Sequence, residues 1–129
     1  MEQIFYTSIA SSKVNGGDVF DIISDASARN RQREITGVLT FVSGCFFQAI
    51  EGPTSSLDSL LASLKRDPRH HSMQIVRRWS VSERQFPDWH MHRLSVDDVE
   101  SATERFRALL SHHPDSEDIL QSFRDLVRP

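Results

Sequence analysis

The sequence is short of several things, and each shortage excludes a class of protein. One cysteine, Cys45, rules out an internal disulfide framework. No apolar run approaches the ~18 residues of a membrane-spanning helix, and the opening MEQIFYTS has neither the basic head nor the apolar stretch of a secretory signal. A cytoplasmic protein is the expectation. Positive charge is not in excess either: 15 Lys and Arg face 18 Asp and Glu, the formal net charge is -3, and the cations are interspersed with acids. No basic field exists for a phosphate backbone, so neither nucleic acid nor membrane is an expected partner. Repeats and low-complexity tracts are absent. Histidines cluster at His90 and His92, but no cysteine or carboxylate completes a zinc-binding spacing around them, and no metal is expected. What remains is a chain of 129 residues, 38% hydrophobic, suited to one domain with a real core.

Hydrophobic periodicity divides that chain into elements. Residues 2–8, EQIFYTS, alternate as a strand does. After the loop ASSKVNGG, Asp18 is placed to cap a helix over 18–30, on which Val19, Ile22, Ile23, Ala26 and Asn30 recur at helical spacing. ITGVLTFV and CFFQAIEG are β-rich runs joined by Ser43-Gly44, the signature of a tight hairpin. If Val42 faces Cys45, Phe41 pairs with Phe46 and Leu39 with Gln48. Pro53 then opens a second helix, to about residue 66, with an apolar stripe of Leu57, Leu60, Leu61 and Leu64. Strands are expected at 73–81 and, short, at 89–94, followed by amphipathic helices over 96–110 and 116–127 that Pro114 separates. The order β-α-β-β-α-β with a short fifth strand is the ferredoxin-like α+β pattern: two helices on one face of the sheet, the two C-terminal helices on the other.

Within this scheme Gln48 is out of character. It shares its face with Leu39, Phe41, Phe46 and Ile50, a surface too apolar to leave in water, and an unpartnered buried amide costs about 1–3 kcal/mol. Tyr6 from the first strand and Asn30 from the first helix belong on the same side. The three polar groups either bond to one another as a core network, or they read the edge of a bound polar heterocycle whose body the slot buries.

Five segments bear on that choice: IFYTS around Tyr6, ARNRQREITG around Asn30, FFQAIEGP around Gln48, RDPRHH at 66–71 and FPDWHM at 86–91. In order and spacing, over about residues 2–95, the chain resembles the BLUF family of blue-light sensors using flavin. The resemblance implies a flavin held between the first two helices, FAD with FMN or riboflavin as other forms, and Tyr6, Asn30 and Gln48 as cofactor-binding residues. It implies that Tyr6 and Gln48 carry the photochemistry, Tyr6 giving an electron and proton and Gln48 rearranging its hydrogen bonds, and that no substrate is turned over. Asp67, Arg69 and His70 match a segment beside the cofactor tail, while Trp89 and Met91, sharing a face of the fifth strand, match a signal relay. Arg29 departs from the second asparagine of many members. Residues 1–95 are then the photosensor core and 96–129 an output cap, in a short stand-alone sensor acting as a homo-oligomer on a separate signalling protein.

Two other readings share the topology. An acylphosphatase-like hydrolase would use ASSKVNGG as an anion loop, but that loop offers Lys13 and no arginine for bidentate phosphate binding. A cofactor-free interaction domain would keep Tyr6, Asn30 and Gln48 as packing alone.

Overall fold

The computed structural model describes residues 1–11, 16–86, 90–94, 96, 98–111 and 113–127. The elements run β1 (Glu2–Ala10), α1 (Gly16–Arg33), β2 (Thr36–Val42), β3 (Cys45–Gly52), α2 (Thr54–Lys65), β4 (His70–Ser80), β5 (His92–Arg93), α3 (Val99–Leu109) and α4 (Ser116–Val127). They form a five-stranded sheet in the order β4-β1-β3-β2-β5, antiparallel except where β5 joins β2. This is the ferredoxin-like α+β arrangement that the periodicity predicts, with one short strand added at the edge.

The hairpin register is as expected: Val42 pairs with Cys45, Phe41 with Phe46 and Leu39 with Gln48. Ser43 and Gly44 both take positive φ, 53° and 75°, which matches the twist of the flanking strands. β1 lies against the other edge of β3, so Tyr6 stands directly opposite Gln48. Leu57, Leu60, Leu61 and Leu64 of α2 pack on Ile4, Tyr6 and Ile50, and Val19 and Ile22 of α1 pack near Leu39 and Phe46. The opposite face is apolar too, and α3 and α4 cover it. Ala102, Phe106, Ile119, Leu120 and Phe123 join Phe5, Val38, Phe47 and Ala49 in one core. β3, paired on both edges and covered on both faces, is buried from end to end.

Three expectations need correction. α1 begins at Gly16, so Asp18 lies in its first turn, favourable to the helix dipole but not the capping residue. β4 runs from His70 to Ser80, beginning three residues before the expected strand over 73–81. The fifth strand is only His92–Arg93, because parallel pairing reaches no further than Val38 and Leu39 of β2. Met91 therefore precedes the strand. Trp89 lies outside the described residues, as does Lys13.

Candidate functional site

Between α1 and α2, on the Gln48 face of the sheet, is a narrow slot. The sheet supplies Tyr6, Ser8, Leu39, Phe46 and Gln48, α1 supplies Ile22, Ala26 and Arg29, α2 supplies Leu60 and Leu64, and Asp67, Arg69, His70 and Met91 complete the lining. Each follows from local pattern. Tyr6, Gln48 and Leu39 share a face because they are cross-strand partners, and Ile22, Ala26 and Arg29 share a helix stripe at spacings of four and three.

The centre of the slot is a hydrogen bond. Tyr6 Oη donates to Gln48 Oε1 at 2.5 Å, and both residues are buried. Burial holds the phenol pKa far above its ordinary value, so Tyr6 is a neutral donor. The amide nitrogen of Gln48 has no hydrogen bond to a described residue. Asn30 is fully buried but is not among the residues that line the slot. Its Nδ2 donates to the His90 carbonyl at 2.6 Å, while its Oδ1 has no partner among the described residues. The buried glutamine is satisfied at its oxygen by Tyr6, and Asn30 is not part of a closed three-residue network.

The far wall is charged. Asp67 accepts from the backbone and guanidinium of Arg69, and the guanidinium also reaches Asp25 at 3.0 Å, tying α1 to the turn before β4. The Arg69 side chain holds the Asp67 carboxyl below the usual range, and the same bonds raise the Arg69 pKa. His70 meets the edge of Phe46, and burial lowers its pKa, leaving a neutral imidazole. Both its ring nitrogens are buried without a well-formed hydrogen bond to a described residue. Met91 packs against the clusters on either side of the slot.

The slot's own unmet groups define what fits: an amide donor on Gln48 and imidazole nitrogens on His70, with apolar side chains between them; the free Oδ1 of Asn30 is buried outside the lining. A flat heterocycle with alternating donors and acceptors on one edge satisfies them, and the ring of a flavin is such a molecule. The family model described as sensors of blue-light using FAD matches residues 1–92. The chain belongs to the BLUF family. It is 33% identical over 116 residues to the photoactivated adenylate cyclase subunit beta of Euglena longa, a match covering 89% of this chain but 12% of that protein. The BLUF protein BlrB in its dark state superposes with a TM-score of 0.75 at 28% identity, covering 92% of this chain and 90% of the other. BlrP1 of Klebsiella pneumoniae, solved with FMN and cyclic diGMP, matches at TM-score 0.69 and 28% identity, over 81% of this chain and 28% of that one. This BLUF chain thus spans about an eighth of the curated cyclase subunit.

Two parts of the site have no signal in the local sequence. Glu51, fully buried three residues after Gln48, accepts from Gln3 Nε2 at 2.6 Å and from the backbone N–H groups of Gln85 and Phe86 at 2.7 and 3.0 Å. Arg84 adds bonds to Thr36 Oγ1 and the Glu34 carbonyl. Together they fasten the segment leading from β4 toward Met91 onto the sheet. The second is an aromatic cluster on the reverse face. Phe47, adjacent to Gln48, meets Phe106 edge-on at 4.6 Å and Phe123 at 4.4 Å, and Phe5, adjacent to Tyr6, stacks on Trp79 at 5.3 Å. A Trp and a run of Phe in alternating strands are visible in the sequence, but which helix meets them is not.

Proposed function

We propose that this BLUF chain is a blue-light photoreceptor that holds a flavin nucleotide in the slot and signals through Tyr6 and Gln48. When bound, the flavin supplies absorption of blue light and an electron-accepting excited state. Tyr6 is the donor of an electron and then of its phenolic proton. Gln48 stands between phenol and cofactor because a primary amide presents both a donor and an acceptor at one tip and can exchange them by reorientation or tautomerisation. Asn30 binds the ring edge through its free Oδ1, and Asp67, Arg69 and His70 border the cofactor on the other side. FAD is the form the family description prints, with FMN and riboflavin as the other forms. The observation that carries the reading is the 2.5 Å Tyr6–Gln48 bond, with the second half of the Gln48 amide left over on the slot side.

Residues 1–95 act as the sensor and 96–129 as its output. Met91 lines the slot and, with Trp89, relays the change at Gln48 toward α3 and α4. Phe47 offers a shorter path, since it is Gln48's neighbour on β3 and touches both helices. The chain turns over no substrate in this scheme. It works as a homo-oligomer on a separate effector protein, and nucleotide cyclases are one class of effector, given the names of its relatives. Absorption spectra of the purified protein before and after blue light test the proposal. Yellow protein with a reversible red shift supports it, whereas protein that stays colourless with added FAD, FMN or riboflavin refutes it.

A further inference from the structure

Glu51 is a fully buried carboxylate that lies outside the slot and has no part in the scheme above. It stands on the same strand as Gln48 but three residues on, so the two side chains leave β3 on opposite faces. Its Oε2 accepts from Gln3 Nε2 at 2.6 Å and from the Gln85 amide at 2.7 Å, and its Oε1 accepts from the Phe86 amide at 3.0 Å. Arg84 brings a guanidinium to 4.0 Å of the same carboxylate and donates to Thr36 Oγ1 and the Glu34 carbonyl. A carboxylate is costly to bury and accepts without donating, so three donors aimed at one group make a directed clamp rather than incidental packing. What the clamp holds is a short piece of backbone that serves both faces of the sheet. Phe86 turns its ring into the core shared with Phe106 of α3 and Ile119 of α4. Five residues further on, Met91 packs in the slot wall.

We propose that Glu51 is a positioning residue for the light signal. With Arg84, it ties the chain at Gln85 and Phe86 to the strand that carries Gln48. A change at the glutamine then reaches the Phe86 ring, and through it α3 and α4, instead of being lost in a loose connection. This rests on the photoreceptor reading above and adds a link to it on the reverse face, clear of the cofactor. Rigidity is what the geometry supplies. A bond to a charged acceptor is shorter and stronger than one to an amide, and Gln3, the cross-strand neighbour of Glu51, keeps the carboxylate from turning.

Glu51→Gln is the direct test, because it keeps the size of the side chain, removes the charge and turns an NH2 group toward donors. In the flavin-free protein, amide exchange at Gln85 and Phe86 should speed up by about tenfold or more, while the amides shared between β1 and β3 stay protected. In the flavin-loaded protein the light-induced red shift should persist, since Glu51 is not in the slot. The light-minus-dark difference in exchange across α3 and α4, however, should fall to about half or less. A residue that only supports the fold would lower protection equally in dark and light and leave that difference intact. Arg84→Met, at a side chain that is 29% exposed, is expected to fold and to give the same loss, and it decides the matter if the glutamine variant does not fold. Unchanged exchange at Gln85 and Phe86, or an undiminished light-minus-dark difference in protein that has lost that protection, overturns this inference alone. Wild-type protein that shows the red shift but no light-dependent change in α3 and α4 overturns it together with the output role of those helices. Wild-type protein that binds no flavin sinks the photoreceptor reading with it.

Discussion

Alkali offers a direct probe of the Tyr6–Gln48 pair, because Tyr6 is the only tyrosine and every tyrosinate signal must come from it. The phenol is 1% exposed, donates to Gln48, and is held by burial far above its ordinary pKa of 10.0. In the unfolded chain it ionises near that ordinary value. Above pH ~10 unfolding therefore releases a proton, and the stabilisation, complete below pH ~10, falls as pH rises by about 1.4 kcal/mol per unit from this group alone. Two units of pH remove about 2.7 kcal/mol, a large share of the ~5–15 kcal/mol typical of a domain. Tyrosinate absorbance should thus appear together with the loss of circular dichroism, not as a separate titration near pH 10. Tyr6→Phe should lose this alkaline slope. At neutral pH it should cost about 1–3 kcal/mol, because Gln48 Oε1 is left buried without its donor. Urea denaturation of both proteins at pH 7 and pH 11 measures the cost of Tyr6→Phe and the first unit of the slope, about 1.4 kcal/mol. Tyrosinate forming near pH 10 in protein that remains folded, or equal slopes in the two proteins, would refute the placement of the phenol.

Three further outcomes follow from the same geometry. Gln48→Leu should bind flavin but show no light-induced red shift, since leucine fills similar volume without a hydrogen-bonding tip; a normal shift would remove Gln48 from the mechanism. Hydrogen exchange in dark and light should differ across α3 and α4, and changes confined to α1 and α2 would make the flavin-side helices the output surface. Phe106→Ala should destabilise the fold by about 3–5 kcal/mol in urea titration, because the ring is fully buried against Phe47; a loss under about 1 kcal/mol would mean that α3 is not anchored there.

The elements that were legible in the sequence are those whose signal is local. A two-residue turn fixed the hairpin, and period-two alternation then put Gln48 beside Leu39 and on the face of Tyr6. Leucine spacing marked α2, and the apolar reverse face of β2 and β3 required the cover that α3 and α4 provide. The fifth strand was overextended because its length depends on how far β2 can be paired, not on its own residues. The roles of Asn30, Glu51 and Arg84 depend on partners 34 to 60 positions away, such as the His90 carbonyl, the Gln85 amide and the Glu34 carbonyl.

Because β3 is buried on both faces, the sheet acts as a partition: the slot on one side, the packing of α3 and α4 on the other, with alternate residues of β1, β2 and β3 reaching each. Such a partition makes the module interchangeable. A protein engineer could replace α3 and α4 with another helical element, provided it offers pockets for Phe5, Phe47 and Ala49, and no wall of the slot would be rebuilt. The same separation lets one photosensing unit be joined to unrelated effectors over evolutionary time, since a new fusion has only to match an apolar surface and need not relearn how to hold a dye.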